Sequence, residues 1–312
     1  MIQSITVINQ LGDSVTLSLT DPWNTGLIIT GIDGLGPTKA NISTTDLAMG
    51  DGAVFNSSRI EKRNIVFHFR LTEVMDGDGL RVLKTIEQVR LDTYRYFQLK
   101  KKHRLIFETD NRYVEIEGYV ESNEPDIFNK EETSNISIIC PNPFFFAKSQ
   151  QAVLNGINEK FEFPFSNESL TEPLLIMGES SAAVGEAIPY HADADSGVVM
   201  KIKAIGNARN IRVVNLLSKE RFLIDTSKIR AIFDDNVDDV VSGDLLTFSS
   251  MPGAKTATLK RNGVEKSILP TISRTGQWLH LVNGDNVFSY TCESGGANIT
   301  IEIVGYLLYE GV

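Results

Sequence analysis

Between Asn64 and Leu71 the chain alternates strictly. Ile65, Phe67, Phe69 and Leu71 fall on one side, and Val66, His68 and Arg70 on the other. A period of two predicts a strand with one buried face. Ile5–Leu19 alternates more loosely and is rich in β-branched residues. Arg104–Glu108 and Tyr113–Val120 flank Thr109-Asp110-Asn111-Arg112, and the Asp-Asn pair suits a turn, so a hairpin is predicted there. A last strand of this half runs through Ser134–Cys140. One stretch breaks the pattern. Leu80, Leu83, Ile86 and Val89 recur every three residues, predicting a helix within Leu80–Leu99, capped by Asp78 and ending near Tyr94. A single helix among strands is not a βαβ series, so a doubly wound nucleotide-binding fold is not expected.

Pro141-Asn142-Pro143 precedes the triplet Phe144-Phe145-Phe146. Two prolines so close cannot sit inside a sheet, which places a domain junction here and divides the chain into residues 1–147 and 148–312. The second part shows no helical periodicity. Its predicted strands are Lys160–Phe165, Pro173–Met177, Val198–Ala204, Asn210–Leu217, Arg221–Asp225, Asp244–Phe248, Thr256–Arg261, Val264–Ile268, Trp278–Leu281, Val287–Cys292 and Asn298–Leu308. Asn262-Gly263 between two of them is a strong hairpin signal. Short strands with frequent turns predict a β-sandwich or barrel. Three stretches read as loops: Pro37–Arg59, Gly178–Gly197 and Asp234–Gly243.

Composition narrows the function. The 312 residues are 42% apolar and 22% charged, with a net charge of -10. That supports two ordinary cores and argues against nucleic-acid affinity, which needs clustered cations. The one basic run, Lys100-Lys101-Lys102 with Arg104, reads as a solvated strand start. Cys140 and Cys292 are too few for a disulfide framework and match no metal motif. The N-terminus resembles no signal peptide, and no apolar run is long enough for a membrane span. A soluble chain made in the cytosol is expected.

Catalytic patterns are thin. Glu131-Glu132 and Asp234, Asp235, Asp238 and Asp239 sit in polar loop sequence, unlike the cleft carboxylates of a glycosidase. Asp193-Ala194-Asp195-Ser196-Gly197 and Asp76-Gly77-Asp78-Gly79 lack the ligand register of a calcium loop. His68, His103, His191 and His280 are scattered. There is no nucleophile elbow and no phosphate loop. No enzyme, cofactor or metal is expected. Trp23 and Trp278 read as sugar-stacking platforms or, for Trp278 beside Leu279 and Leu281, as core.

Several pieces, in order, resemble one family. They are Gly31-Ile32-Asp33-Gly34-Leu35-Gly36-Pro37, Asp51-Gly52-Ala53-Val54-Phe55-Asn56-Ser57-Ser58-Arg59 and Arg63-Asn64-Ile65-Val66-Phe67. Glu117-Gly118-Tyr119-Val120-Glu121, Glu124-Pro125-Asp126-Ile127-Phe128 and Ser137–Phe145 follow. Pro252-Gly253, Trp278-Leu279 with Asn283-Gly284-Asp285-Asn286, and Tyr306–Val312 complete the set. Together they are similar to the distal tail (Dit) proteins of long-tailed phages (siphoviruses) or prophages of Gram-positive bacteria. One departure is the lack of a proline after Trp278.

The resemblance implies a mainly β chain. Its N-terminal part would be a tail-tube-like β-sandwich or split barrel with one α-helix, and its C-terminal part a galectin-like β-sandwich. It implies a virion protein of the phage tail tip, made in the host cytoplasm. Six copies would form a ring that joins the tail tube to the baseplate and lets DNA pass without specific binding. The partners implied are other copies of the chain, the major tail tube protein, a tail-associated tip protein, and receptor-binding or baseplate proteins, with no membrane. Within the long Pro37–Arg59 segment, Asp46, Met49, Asp51, Val54, Phe55 and Asn56 would reach a neighbouring subunit, because head-to-tail contacts close a ring. Trp278, Tyr290 and Tyr306 are the residues expected to touch sugar or a partner. The competing readings are a carbohydrate-binding adhesin acting through the C-terminal sandwich and, third, a glycoside hydrolase.

Overall fold

The computed structural model describes residues 1–129, 131–155, 157–159, 178–180, 184–234, 237 and 239–312. It is mainly β. Two units divide it: residues 1–148 together with 308–312, and residues 149–307. The chain therefore returns to its first unit at the end, where the sequence alone left residues 308–312 with the second.

The first unit is built from β1 (Ile2–Ile8), β2 (Ser14–Ser18), β3 (Leu27–Asp33), β4 (Ala40–Asp46), β5 (Ala53–Ile60), β6 (Arg63–Leu71), β7 (Val74–Met75), β8 (Val82–Lys84), α1 (Ile86–Tyr96), β9 (Lys102–Thr109), β10 (Tyr113–Asp126), β11 (Thr133–Cys140) and the start of β12 (Phe145–Asn155). Strands β2, β1, β9 and β10 lie side by side, and the far part of β10 continues through β11 and β6 to β3, every pair antiparallel. A register shift between Val120 and Ser122 of β10 marks the change of partner, since bulges bend strands. The alternation read from the sequence reaches the core: Ile65, Phe67, Phe69 and Leu71 are all buried. Phe67 and Phe69 stack 5.7 Å apart, and Phe97 at the end of α1 lies 6.2 and 5.8 Å from them. Gly34 closes this side. It has φ +84°, and a Cβ there would meet the Asn64 carbonyl at 2.0 Å, so no other residue fits.

The helix starts later than its spacing predicts. Thr85 forms a capping box with Gln88, and β8 ahead of it pairs with β7. The Asp76 carboxylate accepts the Leu80 and Arg81 amides, turning the chain before any helix begins, so Asp78 caps nothing. Leu80 and Leu83 are exposed, and of the four apolar positions only Ile86 and Val89 pack on the core. The Pro37–Arg59 stretch also departs from its reading. It is the antiparallel hairpin β4–β5.

The second unit holds the rest of β12, then β13 (Ile157–Glu159), β14 (Gly178–Ser180), β15 (Val184–Tyr190), β16 (Ser196–Ala204), β17 (Arg209–Asn215), β18 (Arg221–Ile224), α2 (Ile229–Phe233), β19 (Leu245–Ser249), β20 (Thr256–Arg261), β21 (Val264–Ser267), β22 (His280–Leu281), β23 (Gly284–Ser294) and β24 (Ile299–Tyr309, into the first unit). One sheet runs β24-β16-β19-β20-β21 and the other β15-β23-β17-β18. Their inner residues form one core, with Phe222 meeting Phe248 edge-on at 5.1 Å. This is a β-sandwich. Asn262 and Gly263 both take positive φ between β20 and β21, as the hairpin signal requires. Part of the presumed loop Gly178–Gly197 is strand β15, whose Pro189 is tolerated because β15 is at a sheet edge among the described residues. The predicted strands Lys160–Phe165 and Pro173–Met177 lie outside the described residues.

Candidate functional site

Every residue of β4 and β5 is exposed. The hairpin holds itself by backbone pairing, Thr45 opposite Val54 and Thr44 opposite Phe55, and by a 2.7 Å hydrogen bond from the Asn56 amide to the Thr45 hydroxyl. Ile42, Leu47, Met49, Val54 and Phe55 are between 49% and 103% exposed. Of the six residues expected to reach a neighbour, Asp46, Val54, Phe55 and Asn56 lie on the paired strands, and Met49 and Asp51 lie at the tip. The structure thus brings all six into one projecting element. An isolated two-stranded hairpin is marginal in water. Among the described residues nothing covers either face of this one.

Its base, by contrast, is fixed. Arg63, which begins β6 just after the hairpin, is 1% exposed. Its guanidinium donates to four backbone carbonyls: Gly34, Gly36 at 2.6 Å, Pro143 at 2.7 Å and Glu310 at 2.6 Å. It also lies 4.5 Å over the Phe145 ring. Burial lowers its pKa from the ordinary arginine value, and the same burial pushes the Cys140 thiol up to about 12. Arg112 adds a second hold on the chain end, lying 4.2 Å over Tyr309 and donating to the Gly311 carbonyl, while the Val312 amide donates to Leu35. The sequence reading missed Arg63. Extending the β6 alternation back by two residues would have found it, because Arg63 shares the buried side with Ile65 and Phe67.

Two histidines of this unit sit in opposite settings. His68 lies on the exposed side of β6, with ring nitrogens 3.1 Å from Asp33 and 2.8 Å from Asn135, and hydrogen bonds to these raise its pKa. His103 is buried in β9, and burial lowers its pKa against the pull of the Lys101 and Tyr96 carbonyls.

The aromatic residues of the second unit divide. Tyr290 is 1% exposed, and its hydroxyl donates to the Gly296 and Ile299 carbonyls. It is a core residue, which withdraws it as a contact for sugar or partner. Trp278 is half-buried, 5.4 Å from Phe222, with the Lys255 ammonium 5.8 Å over its ring. Tyr306 is exposed at 36%. Of the carboxylates in the two acidic runs, Glu131 meets Arg70, Glu132 meets Arg90 and Asp239 meets Arg209, while Asp235 and Asp238 lie outside the described residues. Among the described residues no three or more His, Cys, Asp or Glu converge as metal ligands, and no helix is long and apolar enough to cross a membrane.

No protein-family model matches the chain, and no curated protein matches it. Solved structures do. The Dit protein (gp 19.1) of phage SPP1, described as a paradigm of the hub adsorption apparatus in Gram-positive infecting phages, is 9% identical with a TM-score of 0.62 over 97% of this chain and 98% of its own. Chains of the phage P2 baseplate in its activated conformation are also similar. The calcium form is 11% identical at a TM-score of 0.47, covering 97% of this chain and 98% of that one, and the strontium form is 11% identical at 0.46, covering 96% and 97%. The likeness to the SPP1 protein extends over both units, and the chain has that protein's fold.

Proposed function

We propose that the chain is a structural hub of a phage tail tip, of the siphovirus kind that infects Gram-positive bacteria, and that it works through protein contacts without catalysis. Six copies form a ring through which DNA passes without specific binding. The ring joins the major tail tube protein on one side to a tail-associated tip protein and to baseplate or receptor-binding proteins on the other. The fold shared with the SPP1 hub protein supports this reading. The observation that carries it is the β4–β5 hairpin: fifteen residues of paired strand (seven in β4 and eight in β5), exposed on both faces and set on a buried cation, form an arm built to be completed by another subunit. The acidic balance of the chain, net -10, suits a passage that must release DNA.

Light scattering and negative-stain imaging of the purified chain test the proposal, with six-fold rings expected. Replacing Ala40–Ile60 by a short Gly-Ser turn should leave a folded monomer. Rings that persist without the hairpin would refute its role, and a monomeric parent would refute the hub reading.

A further inference from the structure

A hollow of about 570 Å³ opens beside the start of α1, within the usual size of a binding pocket. Its walls include Asp21, Trp23, Glu73, Met75, Asp76 and Leu83, and among the described residues no lysine or arginine lines it. Trp23 is 56% exposed. Among the described residues the Asp21 and Glu73 carboxylates have no hydrogen-bond or ion-pair partner, and Asp76 is engaged by the Leu80 and Arg81 amides. Uncompensated carboxylates around an open indole favour a cation, which gains charge-assisted hydrogen bonds and the face of the ring together. A neutral sugar would gain only the stacking and ordinary hydrogen bonds.

The matching cations lie at the other end of the same helix. Lys100 and Lys101 follow the C-cap Phe97, are exposed and have no carboxylate partner among the described residues. Their neighbours are satisfied at home, Lys102 by Glu117 at 2.7 Å and Arg104 by Glu115 at 3.7 Å. Lys100 holds φ +61°, a left-handed conformation costly for a side-chain-bearing residue, and its amide is tied to the Val120 carbonyl at 3.0 Å. Leu83 precedes the N-cap Thr85 by two residues, so acidic hollow and basic turn are separated by the length of α1, about 16 Å. Unlike, complementary patches at opposite ends of one element are what a head-to-tail contact requires.

We infer that the Lys100–Lys101 turn of one copy docks in the Trp23 hollow of the next. The inference rests on the ring reading above and names a contact separate from the hairpin.

Charge reversal tests it. Asp21→Lys with Glu73→Lys should weaken self-association about tenfold or more, measured by sedimentation over a concentration series, and Lys100→Glu with Lys101→Glu should do the same. Mixing the two reversed proteins, or combining all four changes in one chain, should restore association, because the opposite charges then meet again. Circular dichroism checks that each variant is folded. The contact is refuted if either reversed protein associates like the parent, or if folded four-fold variants stay apart. It is equally refuted if a neutral disaccharide shifts Trp23 fluorescence in a Trp278→Phe background while the reversals leave assembly unchanged. A parent chain that never associates overturns the ring reading and this contact together, whereas unaffected reversals in an assembling chain overturn this contact alone.

Discussion

Strands β5 and β6 are neighbours in sequence and similar in length, yet they live in different environments: β6 is paired on both edges and β5 on one. Every second residue of β6 is buried, and no residue of β5 is. Backbone pairing runs in the plane of a sheet and leaves both faces of a strand open, so pairing alone does not bury a strand. The difference is burial of one face: about 25 cal/mol per Å² of apolar surface stabilises β6 and is absent from β5. Under the proposed function, the subunit that covers the hairpin would supply that interaction.

Matched truncations give the sharpest contrast. Phe67→Ala should cost about 3–5 kcal/mol of first-unit stability, whereas Phe55→Ala should change it by about 0.5 kcal/mol or less and act on self-association instead. Denaturant melts and light scattering on the same samples separate the two effects. If Phe55→Ala proves as destabilising as Phe67→Ala to the isolated chain, the contrast is wrong. Next in size is the base shared by the two strands. Arg63→Lys keeps the charge but cannot span four carbonyls, so it should cost about 2–3 kcal/mol. The loss should appear in amide exchange of β6 and β11 and leave β16 to β23 unchanged.

The smallest effects come from pH, and their signs are opposite across the sheet. His103 has a depressed folded pKa. Its contribution is therefore present above the unfolded value, about 6.5, and is lost as pH falls below it, where the unfolded chain binds the proton more readily. His68 has a raised folded pKa, so its contribution is full below about 6.5 and is lost as pH rises through the folded value. His103→Gln should flatten the limb of a stability–pH profile below about 6.5 and His68→Gln the limb just above about 6.5, the latter faintly because His68 is exposed.

The same contrast explains what the sequence could show. Strand β6 was legible because burial of one face imposes alternation. β4 and β5 were read as loop because with both faces in water nothing enforces a period, although Ile42, Thr44, Thr45 and Val54 are β-formers and Asp51-Gly52 is good turn chemistry. Leu80 and Leu83 misled for the converse reason. They carry a helical spacing but bury nothing, and the cap set by Thr85 and Gln88 overrides it. The six hairpin residues were found as one element, while Tyr290 could not be told from a surface tyrosine, since alternating strands place aromatic residues on either face. The Trp23 hollow is assembled from segments about fifty residues apart and leaves no local pattern.

The hold of Arg63 on Glu310 joins residues 247 positions apart. At an elongation rate of about 5–20 residues per second, the last of its four acceptors leaves the ribosome roughly 10–50 s after Arg63 itself. Until then a cation already enclosed by Gly34, Gly36 and Pro143 keeps an unsaturated donor. The earliest part of the chain to be translated therefore waits for the latest before it closes, and a product cut short before residue 310 would carry its arm on a loosened footing, easy prey for proteolysis rather than a competent building block.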